Sequence, residues 1–133
     1  MIGAMVRVYS RGTDGAKALS AHFKVREFAC HDGTDTVFVS PDLVKLLENI
    51  RSHFGRPVLI NSGYRTEVWN KEQGGSPKSQ HKYGMAADIH ISGVTPRQIA
   101  AYAETLLPRS GGIGVYKSFC HVDVRKNRSR WNG

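Results

Sequence analysis

The sequence predicts a single α+β domain with a mostly antiparallel central sheet flanked by helices. Its 133 residues fit one domain and can form one hydrophobic core without disulfide support. Helical and extended apolar patterns follow each other in the order helix, strand, helix, strand, helix, strand, strand. Because the last two strands are close in sequence, they can form an antiparallel hairpin, which favours the α+β class.

The N-terminal part of the chain carries the weakest pattern. Residues 1–20 are predicted to form an irregular segment, since Gly12 and Gly15 favour a loop. Residues 21–133 are predicted to form the folded domain. Within it, the turn signal at residues 31–33 precedes the first long helical pattern.

The clearest helix begins after Ser40, which suits the N-cap, with Pro41 at the first helical position. A strand over residues 57–61 and a short polar helix near residues 67–73 are predicted next. The long helix ends at Gly55, and until there its apolar residues recur at helical spacing: Leu43, Leu46, Leu47 and Ile50.

The second half of the chain contains three predicted strands and one predicted helix. The strands cover residues 85–91, 113–116 and 119–124. The helix is capped by Thr95 and ends before Pro108. Its apolar stripe consists of Ile99, Ala100, Ala103 and Leu106.

The composition is that of an ordinary globular protein, with 40% hydrophobic and 23% charged residues. No run of about 18 apolar residues is present, so we expect no membrane span. The first nine residues lack the charged start, apolar stretch and cleavage site of a signal peptide. Cys30 and Cys120 form no metal-binding CxxC pair; two buried thiols are expected, with a single disulfide as the alternative.

The net charge of +8 indicates a polyanionic partner. Nucleic acid is the usual partner of a basic protein. However, the sequence contains no helix-turn-helix, zinc-finger or RNA-binding signature. We therefore expect no nucleic-acid binding, and the charge alone does not identify the anion.

Polar residues interrupt the predicted strand over residues 85–91. His81 lies in the approach to this strand, and Gly84 permits a sharp turn into it. Asp88 then falls inside the strand, where a carboxylate is costly unless its charge is compensated. A divalent metal ion would compensate that charge.

The last predicted strand offers a second histidine. Strand side chains alternate, so His121 and Asp123 share one face while Cys120 and Val122 share the face expected to meet the core. His81, Asp88 and His121 would leave one tetrahedral position open for water, as catalytic zinc sites do. Ligands without a thiolate also disfavour a purely structural zinc site. The alternative to a metal site is that these three residues form ordinary structural hydrogen bonds.

These segments together resemble the zinc D-alanyl-D-alanine carboxypeptidase family, whose fold is shared with the hedgehog signalling domain. The resemblance covers residues 23–131 and includes a closing His121-Val-Asp123 motif. It also includes Ser62-Gly-Tyr-Arg65 followed by Asn70 and two glycines. The longest motif, SxHxxGxAxD, is matched by Ser79, His81, Gly84, Ala86 and Asp88.

The resemblance implies a hedgehog/DD-peptidase-like fold in which residues 21–133 are a zinc peptidase domain. It implies one zinc ion per chain, bound by His81, Asp88 and His121. Arg65 matches the family's arginine, which steadies the scissile carbonyl or the substrate carboxylate. A structural salt bridge is the alternative role for this arginine. We also predict that Ser79 and Tyr83 contribute to substrate binding, although either residue could simply hold the turn or pack.

One position departs from the family pattern. Vancomycin-resistance D,D-dipeptidases and some phage peptidases carry an acidic residue three positions before the last ligand, where this chain has Ser118. The nearest carboxylate is that of Asp123. It could act as the catalytic base and acid, which we predict, or it could orient a histidine.

The remaining candidates are assigned to ordinary roles. His90 is predicted to be a partly exposed histidine near Asp88, and Tyr64 is predicted to pack. Trp131 could cover one wall of the site or pack elsewhere. Three histidines without partners at metal-ligand spacing are predicted to lie at the surface: His22, His31 and His53.

The resemblance implies a zinc peptidase that hydrolyses an amide bond in peptidoglycan stem peptides. It could be a D-Ala-D-Ala carboxypeptidase or a phage or prophage lysin endopeptidase; the sequence does not distinguish the bond that is cut. The alternative, favoured by Ser118, is a catalytically inactive metal-binding interaction module of the same fold. We expect a monomer whose positive charge attracts it to the anionic cell wall. Without a visible signal peptide, the protein would stay in the cytoplasm until released to the wall, or be secreted by another route.

Overall fold

A computed structural model describes residues 5–133. Its helices are α1 (Arg11–Asp14), α2 (Pro41–Phe54), α3 (Glu67–Glu72) and α4 (Pro96–Leu106), and 3₁₀ turns cover Val25–Phe28 and Gln80–Tyr83. The strands are β1 (Arg7–Ser10), β2 (Thr36–Val39), β3 (Leu59–Ser62), β4 (Ala86–His90), β5 (Gly112–Val115), β6 (Cys120–Asp123) and β7 (Ser129–Asn132). Residues 1–4, part of the stretch in which the sequence shows no signal peptide, lie outside the described residues.

The central sheet contains five strands in the order β3-β4-β6-β5-β7. Every neighbouring pair is antiparallel except β5 and β7, which are parallel. Strands β1 and β2 form a separate antiparallel pair. The predicted α+β class with a mostly antiparallel sheet is therefore confirmed, including the β5–β6 hairpin.

The hydrophobic core lies between the helices and one face of this sheet. Helix α2 contributes its apolar stripe, and α4 packs against β5 and β6. Val122 and Cys120 of β6 face this core, as the alternation of the strand predicted. Burying one such aliphatic side chain contributes about 1.5–3 kcal/mol. The core thus fixes β6, and with it the direction of the side chains on the opposite face.

Helix boundaries follow the local signals in the sequence. Pro41 begins α2, and Gly55 ends it in the left-handed conformation with φ of 64°. Thr95 caps α4 by accepting a hydrogen bond from the backbone of Gln98, whose side chain accepts one in return from the Thr95 backbone. These two helices were predicted because their ends are determined by such local chemistry.

Three parts of the prediction were wrong: the N-terminal segment, strand β2 (Thr36–Val39), which was not predicted, and the final strand β7. Residues 1–20 were expected to be irregular, but β1 and the one-turn helix α1 lie within them. Strand β1 has no buried residue, and it forms by pairing with β2. Because neither face of the strand is buried, an alternating apolar pattern does not mark it in the sequence. The final strand β7 was not predicted, since its sequence Ser129–Asn132 is polar and it forms by pairing with β5.

Both thiols are free and buried, which confirms the expectation for Cys30 and Cys120 over the disulfide alternative. Burial raises the pKa of the Cys120 thiol to about 12, and the nearby charge of Asp88 adds to this effect.

Across residues 5–133, none of the helices combines the length and apolar character needed to cross a membrane.

Candidate metal centre and active-site cleft

One row of residues crosses all five strands of the central sheet on the face opposite the core. Backbone pairing places these residues directly beside one another, from one sheet edge to the other: Ser62, Asp88, His121, Gly114 and Trp131. Residues that are far apart in sequence are thereby brought onto a single line. Three members of this row, Ser62, Asp88 and His121, are polar residues that interrupt the apolar strands.

His81 joins the row from the 3₁₀ turn that precedes β4. The turn ends at Gly84, whose φ of 70° is left-handed, and a side chain there would collide with the backbone of Phe38. The sharp turn predicted at Gly84 is thus present. It brings His81 back over the strand that carries Asp88.

His81, Asp88 and His121 form a compact cluster of potential metal ligands. One ligand atom from each lies within 4.8 Å of the others, and all three residues are buried. His81 Nε2 lies 3.2 Å from Asp88 Oδ1, and His121 Nδ1 lies 3.0 Å from the same oxygen. Two imidazoles and one carboxylate are a donor set that suits a divalent transition metal with an open position. The three predicted ligands are therefore brought together, and they could hold a metal ion.

The other nitrogen of each imidazole is fixed by a hydrogen bond. His81 Nδ1 lies 2.8 Å from the backbone oxygen of Gly63, so it donates a proton there and leaves Nε2 free for a metal. His121 Nε2 lies 2.7 Å from Asp123 Oδ2, which leaves Nδ1 free in the same way. Metal-binding histidines are commonly oriented in this manner.

The cluster retains negative charge despite its burial. Burial opposes ionisation of Asp88, but hydrogen bonds to His121 and His81 hold its pKa well below the usual value. Burial likewise opposes a charged His121, while hydrogen bonds to Asp123 and Asp88 outweigh burial and raise its pKa. The cluster therefore places an ionised carboxylate beside an imidazole whose pKa is raised, and the negative charge of Asp88 suits a divalent cation.

Asp123 lies behind His121 and is completely buried. Besides His121, it accepts hydrogen bonds from the backbone of Gly112 at 2.8 Å and from Arg125, whose Nη2 lies 2.7 Å away. Burial opposes its ionisation, but the contacts with His121 and Arg125 hold its pKa well below the usual value. This carboxylate contacts the side of His121 that faces away from the ligand cluster, and it is not among the residues that line the cleft.

Two glycines on β5 make room for this arrangement. Gly112 and Gly114 sit on the same face as the row, and Ile113 between them points into the core. A side chain at Gly112 would collide with the carboxylate of Asp123, and one at Gly114 with the indole of Trp131. The two glycines of the Gly-Ile-Gly sequence thus leave space for the side chains of Asp123 and Trp131, which come from the neighbouring strands.

Arg65 is held at the edge of the cluster by three contacts. Its Nε donates to Ser62 Oγ at 3.0 Å, and its Nη1 donates to Asn70 Oδ1 at 3.3 Å. Its Nη2 lies 3.7 Å from Asp88 Oδ2. All three guanidinium nitrogens are engaged, so Arg65 is a fixed positive charge beside a potential metal ligand.

The cluster opens into a cleft with a volume of about 490 Å³. One wall is aromatic: Tyr116 and Phe119 stack with ring centroids 4.4 Å apart, and the Trp131 indole donates to the Tyr116 hydroxyl at 2.8 Å. Trp131 also lies 4.9 Å from the His121 ring, which answers the question left open by the sequence, since this residue does cover one wall. The predicted site residues that line the cleft are Arg65, Ser79, His81, Asp88 and His121.

Two predicted site residues lie elsewhere. Tyr83 is 49% exposed, contacts Lys82 and is not among the cleft-lining residues, because the 3₁₀ turn directs it outward. Asp123, as described above, is behind His121. Ser79 does line the cleft, and its hydroxyl also accepts a hydrogen bond from the His81 backbone at 3.2 Å. Ser118, at the position of the missing acid, is exposed in the β5–β6 turn.

The minor predictions are mostly confirmed. Tyr64 packs edge-on against Phe38. His90 is partly exposed, and its Nδ1 lies 2.5 Å from Asn61 Oδ1. The histidines predicted at the surface are exposed there, although each has a neighbour in the structure: His22, His31 and His53.

Several residues that build the site could not be assigned to it from the sequence. Ser62 and Asn70 were noted within a motif, but their role in holding Arg65 is visible only in three dimensions. Nothing in the sequence indicated the contact of Arg125 with Asp123. Nothing in the sequence indicated that Tyr116 and Phe119, on either side of the β5–β6 turn, stack against each other in the cleft.

The fold and the His-Asp-His cluster are of the kind found in metal-dependent peptidases, and comparison with known families agrees. The family model described as peptidase M15 matches residues 21–123, so the chain belongs to the peptidase M15 family. This family includes enzymes of the zinc D-Ala-D-Ala carboxypeptidase type, which confirms the predicted resemblance.

Two curated relatives are informative. The chain is 34% identical over 95 residues to peptidoglycan L,D-endopeptidase MepK of Escherichia coli strain K12, which covers 65% of this chain and 51% of that protein. It is 31% identical over 105 residues to probable peptidoglycan L,D-endopeptidase MepK of Haemophilus influenzae, which covers 71% of this chain and 55% of that protein. The chain thus spans about half the length of the curated relatives it matches. Neither comparison favours the inactive-module alternative.

Proposed function

We propose that this protein is a zinc-dependent endopeptidase that hydrolyses an amide bond in the stem peptides of peptidoglycan. The observation that carries the proposal is the buried His81–Asp88–His121 cluster, which opens into a cleft beside the fixed guanidinium of Arg65. The names of the curated relatives support an L,D-peptide bond in peptidoglycan over the D-Ala-D-Ala bond. The family membership supports zinc as the metal.

The ligand residues present fit this metal. Zinc in such a site is a Lewis acid and lowers the pKa of a bound water to about 7. His81 and His121 each present one free nitrogen, and their opposite nitrogens are held by hydrogen bonds. The protein therefore has little reorganisation to undergo when the ion binds.

Arg65 supplies the second electrostatic element. Its guanidinium lies beside Asp88 and is fixed through Ser62 and Asn70. A scissile carbonyl placed at the metal would therefore develop its negative charge next to a positive group already in position. Such preorganised charge is usually a large contribution to catalysis.

Asp123 is assigned the role of orienting His121. This was the second of the two roles open from the sequence, and burial and contacts with Gly112, His121 and Arg125 favour it over proton transfer to substrate. It also neutralises the Arg125 guanidinium on one edge. Asp123 is thus a positioning residue in this proposal.

Digestion of purified peptidoglycan tests the proposed function. The zinc-loaded protein should release free amines, and His81→Ala should abolish both this release and binding of about one zinc per chain. His53→Ala is the matched control, because that histidine is exposed and stacked on Tyr102 at the surface. Mass spectrometry of a defined muropeptide would identify the bond. Equal amine release by wild type and His81→Ala would refute the proposal.

A further inference from the structure

Arg125 is a second guanidinium in the cleft, and its hydrogen-bonding capacity is only partly used. Its Nε and Nη2 donate to the carboxylate of Asp123 at 2.9 and 2.7 Å. Its Nη1 has no hydrogen-bond partner among residues 5–133, and the side chain lines the cleft with 27% of its surface exposed. Arg65, in contrast, uses all three of its nitrogens.

The position of Arg125 is fixed on two sides. Its guanidinium carbon lies 5.4 Å from the centre of the Trp131 ring, a distance at which a cation is attracted to the aromatic face. Asp123 holds one edge of the group and Trp131 covers one face. A guanidinium immobilised in this way loses little side-chain entropy when it forms a further hydrogen bond.

The two arginines serve opposite ends of the residue row. Arg65 is tied to Ser62 at the β3 end, and Arg125 contacts Trp131 at the β7 end. The ligand cluster lies between these ends. A peptide whose scissile bond sits at the metal beside Arg65 would therefore have another part of its length beside Arg125.

The charges that line the cleft favour an anionic ligand. Three cationic side chains contribute to its lining, those of Arg65, Lys78 and Arg125, and the carboxylates that face them are Asp88 in the lining and Asp123, buried behind one edge of Arg125. Asp88 is committed to the metal cluster. A divalent ion would make the cleft still more positive, and a carboxylate on the ligand would be attracted to the unpaired edge of Arg125.

We infer that Arg125 binds a free carboxylate of the peptide substrate, and so helps determine specificity. The inference rests on the proposed function, since stem peptides of peptidoglycan carry free carboxylates on their glutamate and diamino acid residues and at the C-terminus. In this division of roles, Arg65 stabilises the developing charge of the scissile carbonyl, and Arg125 binds the carboxylate. The Arg125–Asp123 pair thereby links substrate recognition to the orientation of His121.

The test uses zinc-loaded protein and a set of defined muropeptides in which one carboxylate at a time is converted to an amide. For wild type, amidation of one carboxylate should lower kcat/KM by about tenfold or more, as expected for one charge-assisted hydrogen bond. In Arg125→Gln, this penalty should fall to about threefold or less, because the variant cannot distinguish carboxylate from amide by charge. The loss should appear mainly in KM.

Lys126→Gln is the matched control. It removes the same charge from the adjacent exposed residue, which does not line the cleft. It should retain the full amide penalty. Lys78→Gln is tested in parallel because Lys78 is the other cation of the cleft without a described side-chain partner.

Three results would overturn the inference. In the first, wild type cleaves every amidated substrate as well as its parent. In the second, Arg125→Gln lowers activity on all substrates equally and keeps the penalty, which would show a purely structural arginine. In the third, the penalty disappears in Lys78→Gln instead. If Arg125→Gln fails to fold or to bind zinc, Arg125→Met decides, because it also removes the charge and keeps much of the side-chain bulk: a reduced penalty is expected, and a full penalty refutes. Failure of wild type to cleave any parent peptide would instead refute the proposed function.

Discussion

Asp123→Asn distinguishes an orienting carboxylate from a catalytic base. The substitution keeps the shape of the side chain and removes its charge. Every contact that Asp123 makes is with a donor: the Gly112 backbone, His121 Nε2, and the backbone and guanidinium of Arg125. The amide nitrogen of Asn must therefore face at least one donor, which leaves polar groups unsatisfied in a buried place.

The magnitude follows from these contacts. One unsatisfied buried donor costs about 1–3 kcal/mol. Loss of a carboxylate behind a metal-binding histidine typically weakens metal binding by about 10–100-fold. We therefore expect Asp123→Asn to bind zinc about 10–100-fold more weakly than wild type. At saturating zinc, kcat should fall by less than about tenfold, because the ligands are then in place.

The assay combines a zinc competition titration with steady-state cleavage of a muropeptide at several zinc concentrations. Asp42→Asn is the control, since it removes an exposed carboxylate in the first turn of α2. If Asp123 were the general base, kcat at saturating zinc would fall by about 10²–10⁴-fold while zinc affinity stayed close to wild type. That result would refute the orienting role.

Three further predictions concern the fold that supports the site. Gly114→Ala should destabilise the protein by about 1–3 kcal/mol in urea unfolding, because its methyl group collides with Trp131; a change within 0.5 kcal/mol would contradict this packing. Cys30 and Cys120 should not react with a thiol reagent at pH 8 until the protein is unfolded, since both are buried; rapid labelling of the native protein would be inconsistent with the structure. Glu48→Gln should cost about 1 kcal/mol at pH 7. Burial opposes ionisation of Glu48, yet hydrogen bonds from Ser20 and His22 lower its pKa, so its stabilisation is present above the usual value of 4.5 and is lost as the pH falls through the lowered pKa. The difference from wild type should therefore close in acid, and a difference that persists unchanged at pH 2 would count against stabilisation by the ionised Glu48 carboxylate.

The local parts of the fold could be predicted because their chemistry is local. Pro41 and Gly55 bound α2, and Thr95 begins α4, through contacts within a few residues. Strand β6 could be predicted because its alternation separates a core face from a polar face. Strands β1 and β7 could not, since neither buries an apolar face and each depends on a partner that is distant in sequence.

The sequence by itself identified the candidate metal ligands. Asp88 and His121 stand out because polar residues in strands that otherwise bury apolar side chains need compensation, and His81 joins them through the family motif that also contains Asp88. The role of Asp123 was not determined, because a carboxylate two residues from His121 on one strand face could point into the cleft or lie behind the ring.

Only the tertiary structure decided which groups surround those ligands. The pairing of β7 with β5 brings Trp131 to the cleft, and the Gly112 and Gly114 positions leave room for side chains from other strands. Arg125 lines the cleft because its guanidinium is held by a hydrogen bond to Asp123 and by contact with the Trp131 ring. The physical reason is the same in each case. Alternation along one strand determines which way a side chain points, but its neighbours are set by the register between strands, which single-strand patterns do not contain.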